Sequence, residues 1–577
     1  MRFFMIVTVA AAFLLLSVSC NGSATSHKTD KDNAANDENQ TDSENDSDGL
    51  LNDESAADDN SVKPDETNDS ENPDESTDSE DPDIEGDLDI SIDEDMPVIC
   101  EAEVKSCREN VVIQCNNAGT VISEIETCTG VGVSCYKGEC LDECGIAAKN
   151  QGYLGCEYWG AFLQQTTEIN SATYALVVAN PNATEINVKV FSVGDELLAE
   201  HDIEAGELYS FELGTDRRIQ GPGISDLAFK LVSTRPVAVT QMNPFGNVMM
   251  YSNDATLLFQ KGALGTEYYA MSWPSWSTMS GFVSIVAVED GTTTVTVNYS
   301  AATIAGTGIE AQAGGDEVEY SLTKYQILTL NSSLTGTTET IYGADLTGSF
   351  IKSDKKVAVF GGHVCARIPA DKTACDHLEH QIFPLQSWGK KFTAVRTKPR
   401  GTELDHYRIL ASEKGASVAW IGGVSGSVNL SAGEFHDMST DKDFVINSSE
   451  PVMIGQFLAS QDAGAGTGDP SMMLIAPDEQ LRREYVFLVP PNYDYNRITI
   501  VASADTDITV NETSYSSNSF VAIEGTDRLR QWVDLETGPY TLEASKPVAV
   551  YVYGFSQYVS YAYTAGLDLT TINPVGE

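Results

Sequence analysis

The feature of this 577-residue chain that most restricts its fold is a strand pattern that returns four times. From about residue 145 onward, short apolar or alternating runs rich in Val, Ile, Thr and Tyr are separated by Gly, Asn, Asp and Pro, and long helical periodicity is missing. One signature is a serine, one or two further residues, then Pro-Val-Ala-Val or a close variant. It begins at Pro236, Lys356, Pro451 and Pro547, with spacings of 120, 95 and 96 residues. Proline is tolerated at the first residue of a strand because its missing N–H costs least there. A second signature is an apolar run ending in alanine, at 174–179, 282–287, 407–411 and 497–502. A third opens the units: Cys156-Glu-Tyr158, Thr266-Glu-Tyr268, Lys391-Phe392 and Arg483-Glu-Tyr485. The pattern predicts an all-β body over 157–577, built from four antiparallel units of about 157–262, 263–387, 388–480 and 481–577. Propeller blades and tandem sandwiches both suit units of this size. No linker-like stretch separates them, so a single packed body is expected.

Before the repeat the chain changes character twice. Residues 1–20 carry Arg2, an apolar run from Phe3 to Leu16, and small residues ending at Ser19-Cys20. The run is too short for a spanning helix and reads as an export signal. With a cysteine directly after the small residues it resembles a bacterial lipoprotein signal, which implies lipidation at Cys20. Asn21 follows where an aspartate is associated with inner-membrane retention, so the expected location is the outer membrane and the cell surface. Between Lys28 and Pro97 lie 28 acidic residues and three lysines, a net charge of −25 out of −52 for the whole chain. Segment 21–97 has too few apolar residues to offset the entropy of ordering and is expected to be a disordered, extended tether. A balance this acidic repels phosphate backbones, which excludes nucleic acid as a principal partner.

Of the 11 cysteines, eight crowd together: Cys100, Cys107, Cys115, Cys128, Cys135, Cys140, Cys144 and Cys156. Glycines lie between them and little that builds a core, so 98–156 is expected to be a small module stapled by disulfides, with the pairing left open. Ordered Cys-x-x-Cys pairs of a zinc site are missing. Cys365 and Cys375 stand alone downstream and are expected to pair with each other.

The segments after the recurring Pro-Val-Ala-Val strand are long and distinctive, and equivalent positions in a repeat emerge on one face. They are expected to build a composite surface of loops. The second segment concentrates His363, Cys365, Cys375, His377 and His380. The histidines are weak metal candidates, and a structural role is preferred; no cofactor is implied. Candidate contact residues for a partner are the aromatics Trp388, Phe457, Tyr558, Tyr561 and Tyr563, since aromatic side chains supply large contact area.

The same segments carry a resemblance. His363-x-Cys365, Cys375-Asp-His377, Gln381, Pro384 and Trp388-Gly389 are followed by Gly468-Asp-Pro-Ser-Met-Met-Leu-Ile475, Tyr485-x-Phe487 and Pro490. Tyr553-Gly-Phe555 and Ser560-Tyr-x-Tyr563-x-Ala-Gly-Leu567 close the set. Together they resemble the N-terminal domain of the IgGFc-binding protein family and its bacterial members, over roughly 160–570. The resemblance implies a binding module, with antibody Fc as the ligand for which the family is named.

Catalytic signatures are missing. There is no Gly-x-Ser-x-Gly elbow, no His-Glu-x-x-His and no P-loop. The expected function is therefore a non-enzymatic cell-surface lipoprotein that binds an extracellular protein or glycan through its loops. A structural envelope protein without a dedicated ligand is the second reading, and a secreted hydrolase the third.

Overall fold

One long strand organises each unit. The computed structural model describes residues 101–574 apart from 121, 167–172, 246–251 and 337–341. Residues 1–20 with Cys20, the segment 21–97 and Cys100 lie outside the described residues. The long strands are β1 (Phe229–Phe245), β3 (Phe350–Ala366), β5 (Phe444–Phe457) and β7 (Gly538–Ser556), each followed by a shorter antiparallel partner. These partners are β2 (Asp254–Leu257), β4 (Asp376–Gln381), β6 (Met472–Ile475) and β8 (Val559–Thr564). Each long strand belongs to two ladders. Phe229–Val232 of β1 lies between strands Gly155–Gly160 and Ile186–Ser192, whereas Ala238–Met242 lies between Thr173–Ala179 and β2. The other three units repeat this arrangement, giving curled sheets of seven, eight, seven and eight strands.

The serine signature marks the point where the long strand leaves one ladder for the other. Ser233, Ser353 and Ser448 each donate from Oγ to the carbonyl two residues on, at 2.7, 2.6 and 2.6 Å. The next residue caps the neighbouring strand. The N–H groups of Asn187, Thr294, Ser417 and Asp507 donate to the side-chain oxygens of Thr234, Asp354, Ser449 and Ser545. A backbone bent between two ladders loses regular partners, and short hydroxyl side chains replace them. Proline follows in three of the units because no N–H is needed at the bend.

The opening mark and the strand signature are two ends of one buried hydrogen bond. The Tyr158 hydroxyl donates to the Val237 carbonyl at 2.6 Å and that of Tyr268 to Val357 at 2.7 Å; Tyr485 does the same to Val548. The third unit has Phe392 at this place.

The units are joined in a cycle. β2 packs against β4 and β8, and β6 packs against the same two strands, so the four short partners surround one axis. The structure thus combines the two arrangements that the sequence left open: each unit is a curled two-layer sheet, and the four stand around a common centre. Strand Gly223–Ser225, contributed by the first unit, pairs with Ile327–Asn331 of the second. The chain closes its own ring, since Tyr153 N donates to Leu567 O at 3.2 Å and Leu569 N to Gln151 O at 2.8 Å. One buried apolar cluster runs through all four units, reaching the third at Leu410, Phe457 and Leu474, and another fills the rest of the third and its junction with the fourth. Among the described residues no helix is long and apolar enough to cross a membrane.

Ahead of the body, strands Lys105–Arg108, Val111–Cys115 and Ile122–Thr127 form a three-stranded sheet, and Ser134–Tyr136 with Glu139–Leu141 a two-stranded one. Helix α1 (Glu143–Asn150) follows, capped by Asp142, whose carboxylate accepts from Gly145 N at 2.7 Å. Cys107–Cys135, Cys128–Cys140 and Cys144–Cys156 are disulfides, and Cys115 is disulfide-bonded as well.

Candidate functional site

The axis where the four units meet is polar. Asp254, at the start of β2, is fully buried and receives hydrogen bonds from every unit. Its Oδ1 accepts from Ala255 N (2.9 Å), Ser471 Oγ (2.6 Å) and Ala562 N (3.3 Å). Its Oδ2 accepts from Glu379 N (3.2 Å) and Met472 N (3.1 Å). Burial pushes its pKa up to about 8 against the lowering effect of these donors. Glu379 accepts from Asn243 Nδ2 at 2.6 Å and from Gln241 Nε2 at 3.3 Å, and burial raises its pKa strongly. Asp376 is raised by burial and then by the nearby Asp469 and Asp254. The sequence reading missed this centre. The available signal was a set of polar residues, Gln241, Asn243, Asp254 and Glu379, inside otherwise apolar strand runs.

The three histidines belong to this interior. His363 Nδ1 accepts from Cys365 N at 3.0 Å, and His380 Nδ1 donates to Gln381 O at 2.7 Å. His377 Nε2 lies 3.1 Å from Asn243 Nδ2 and 3.3 Å from Glu379 Oε2. The distance to Glu379 would permit an ion pair, but burial drives the histidine pKa down to about 3 and the glutamate up. Burial thus works against charge on both partners of this contact. Burial lowers His363 to about 3 and His380 to about 4 as well. Among the described residues no three His, Cys, Asp or Glu side chains are grouped to hold a metal ion.

The segments expected as loops are largely strands. After the Pro-Val-Ala-Val run the chain continues into the second ladder and returns as β2, β4, β6 or β8, so most of each segment is covered on both faces. This corrects the placement of four candidate contact residues. Trp388 is buried with its Nε1 donating to Phe383 O at 3.1 Å, and Phe457 packs on Trp273 with ring centroids 4.7 Å apart. Tyr561 donates to Asn496 Oδ1 at 2.8 Å and Tyr563 to the Leu488 carbonyl, both inside the fourth unit. Tyr558 differs: it sits at the turn between β7 and β8 with φ +62° and is 39% exposed.

What reaches the surface is the set of tips, and the tips interlock. Cys365 and Cys375 form the expected disulfide and close the second unit's tip. Ser460 Oγ donates to Ala374 O at 2.8 Å, and Thr373 donates to Asp462 Oδ2 from N and Oγ1 at 2.8 and 2.7 Å. Gly468 N donates to Ser556 O at 2.8 Å, and Tyr558 N to Gln461 Oε1 at 3.0 Å. Asn253 of the first unit donates to the Tyr493 hydroxyl. Beside the disulfide, the Arg367 guanidinium lies 3.6 Å from the centre of the Trp276 ring, whose Nε1 donates to Cys365 O at 2.7 Å. Both side chains are partly exposed. Neither was singled out from the sequence, although Trp273-Pro-Ser-Trp276 interrupts the strand pattern there.

These features define a disulfide-stabilised all-β repeat protein with a polar, sealed axis and one rigid face of interlocked tips. The chain belongs to the IgGFc binding protein family, whose family model matches residues 254–554, more than half of its length. It is 24% identical over 448 residues to the IgGFc-binding protein of Homo sapiens; the match covers 75% of this chain and 8% of the human protein. Among solved structures, the major pilin of Streptococcus pyogenes aligns with 71% of this chain and 98% of its own at 6% identity, with a TM-score of 0.11. The native form of E. coli alpha-2-macroglobulin aligns with 79% of this chain and 43% of its own at 8% identity, with a TM-score of 0.14. Likenesses that low say nothing about the fold.

Proposed function

We propose that this protein is a surface-exposed outer-membrane lipoprotein, anchored through Cys20, that binds an extracellular protein at the tip face of its β-repeat body. The acidic segment 21–97 would hold the body away from the membrane. The disulfides fit an oxidising compartment outside the cytoplasm.

The observation that carries this reading is the interlocking of the tips. Hydrogen bonds between tips of the second, third and fourth units, together with Cys365–Cys375, fix the surface before a partner arrives. A surface ordered in advance loses less entropy on association. It presents Trp276, Arg367 and Tyr558, residue types that dominate binding energy at protein interfaces. The family supplies the first ligand to try, antibody Fc.

The test is binding of the oxidised, purified chain to immobilised IgG Fc, beside Trp276→Ala and a Cys365→Ser/Cys375→Ser double variant. Saturable binding weakened at least tenfold in both variants supports the reading. Equal binding by wild type and variants would place the contact elsewhere. No binding to Fc by a well-folded chain would remove that ligand and direct the search to other envelope proteins and glycans.

A further inference from the structure

Where α1 lies against the first two units there is a cleft of about 490 Å³, walled by the Cys144–Cys156 disulfide, Ala148 and Val232. Sites for small ligands commonly fall between about 300 and 1,000 Å³ and are mostly apolar with a few placed polar groups. Two lysines line this one, and they differ. Lys261 is neutralised by Glu157 at 3.4 Å and Glu289 at 3.0 Å. Lys356 is in no ion pair among the described residues; its Nζ donates to Gly262 O at 2.6 Å. Burial lowers the Lys356 pKa; the nearby Glu289 carboxylate opposes this, and neighbouring Lys261 adds a smaller lowering.

The repeat makes Lys356 conspicuous. The equivalent positions are Pro236, Pro451 and Pro547, where the residue serves only the bend in the backbone. The second unit alone places an amine there, and its bend borders the cleft together with the first unit's Val232 and Ser233. A half-buried ammonium with one carbonyl partner is under-solvated, and a carboxylate would give it a charge-assisted hydrogen bond. Glu157 and Glu289 line the same cleft, so a second carboxylate on a ligand would meet like charge. We infer that this cleft binds an aliphatic monocarboxylate, with its carboxylate on Lys356 and its chain against Val232, Ala148 and the disulfide.

The probe is decanoate, titrated calorimetrically into the full oxidised chain below its micellar range. Decanol and decanedioate are run alongside, with Lys356→Gln and Lys356→Pro as variants. The expected result is saturable one-site binding of decanoate, weakened at least tenfold in both variants, with decanol and decanedioate binding at least tenfold more weakly to wild type. Lys356→Pro installs the repeat residue and Lys356→Gln keeps the N–H, so one folded variant suffices. Unchanged affinity in a folded variant, equal binding of decanol, or no saturable binding of decanoate would overturn the proposal. None of these outcomes depends on the tip face or on Fc.

Discussion

The N-terminal module and the four-unit body reach order by different means. In the module, strand Ile122–Thr127 is exposed along nearly its whole length, and buried apolar side chains are few, chiefly Val112 and Ile113. Cross-links carry it: Cys107–Cys135 and Cys128–Cys140 close loops of 28 and 12 residues. Each such bridge contributes about 3 kcal/mol, chiefly by restricting the unfolded chain. In the body the long strands are buried along their second halves, and every unit contributes hydrogen bonds to one carboxyl group. Small chains with little core need staples, whereas a closed repeat supplies its own partners.

The largest expected effect tests the body's side of that contrast. Asp254→Ala leaves five donors from the four units facing an apolar methyl group in a dry interior. Buried donors stripped of their acceptor cost about 1–3 kcal/mol each, so the sum should exceed about 3 kcal/mol. The melting temperature of the body should fall sharply, with any residual fold losing its four-way junction; a shift of a degree or two would mean that the axis is not the keystone. The same centre sets a pH response. The folded Asp254 holds its proton up to about pH 8, far above the unfolded value, and Asp376 and Glu379 shift the same way. Groups raised in this sense bind more protons folded than unfolded, so their contribution is fully present at low pH and is lost as pH rises through about 8. Thermal stability of wild type should therefore decline between about pH 5 and pH 9, and the decline should flatten in Glu379→Gln.

Next comes reduction, which should separate the two regions. A thiol reductant under native conditions should abolish hydrogen-exchange protection over 101–141 while leaving protection across β1, β3, β5 and β7. Retained protection in the reduced module would show that its small core is sufficient, and the contrast would collapse.

A smaller effect distinguishes the units from one another. Tyr268→Phe removes the donor to the buried Val357 carbonyl and should cost about 1–2 kcal/mol. The third unit already lives with Phe392, so Phe392→Tyr should bring no comparable gain. Equal and opposite effects would show that the hydroxyl, rather than the packing of the ring, is what each unit opening provides.

The sequence made the repeat legible because strand signatures sit where backbone chemistry is strictest. A proline at a bend, a serine beside it and a tyrosine that reaches the following valine each recur in three of the four units, because the bend leaves backbone groups that these residues serve. The closed axis was harder to read, since Asp254, Gln241 and Glu379 come from different units and meet only after the ring forms. The exposed face was misplaced for a related reason: Trp388, Phe457, Tyr561 and Tyr563 follow the same signature as Tyr558. Which of them is covered depends on whether the chain returns as a paired strand, and an aromatic residue reads alike in both settings. Trp276 and Arg367 are adjacent only through the fold, 91 positions apart in the chain.

The smallest prediction concerns the bend itself. Ser353→Ala deletes the hydroxyl that bonds to Lys355 O at 2.6 Å and also reaches Thr266 O at 3.3 Å. A hydrogen bond of this kind contributes about 1 kcal/mol. The fourth unit has Ala544 at this position and keeps its neighbour Ser545, which still caps Asp507 N at 2.9 Å. Removing the cap in the second unit, with Asp354→Ala, should therefore cost more than Ser353→Ala, because the repeat itself tolerates loss of the first hydroxyl and retains the second contact in all four units. Chemical denaturation of the two variants side by side measures the difference. A larger loss for Ser353→Ala would mean that the bend is held from within the long strand, and that the fourth unit compensates for Ala544 by packing.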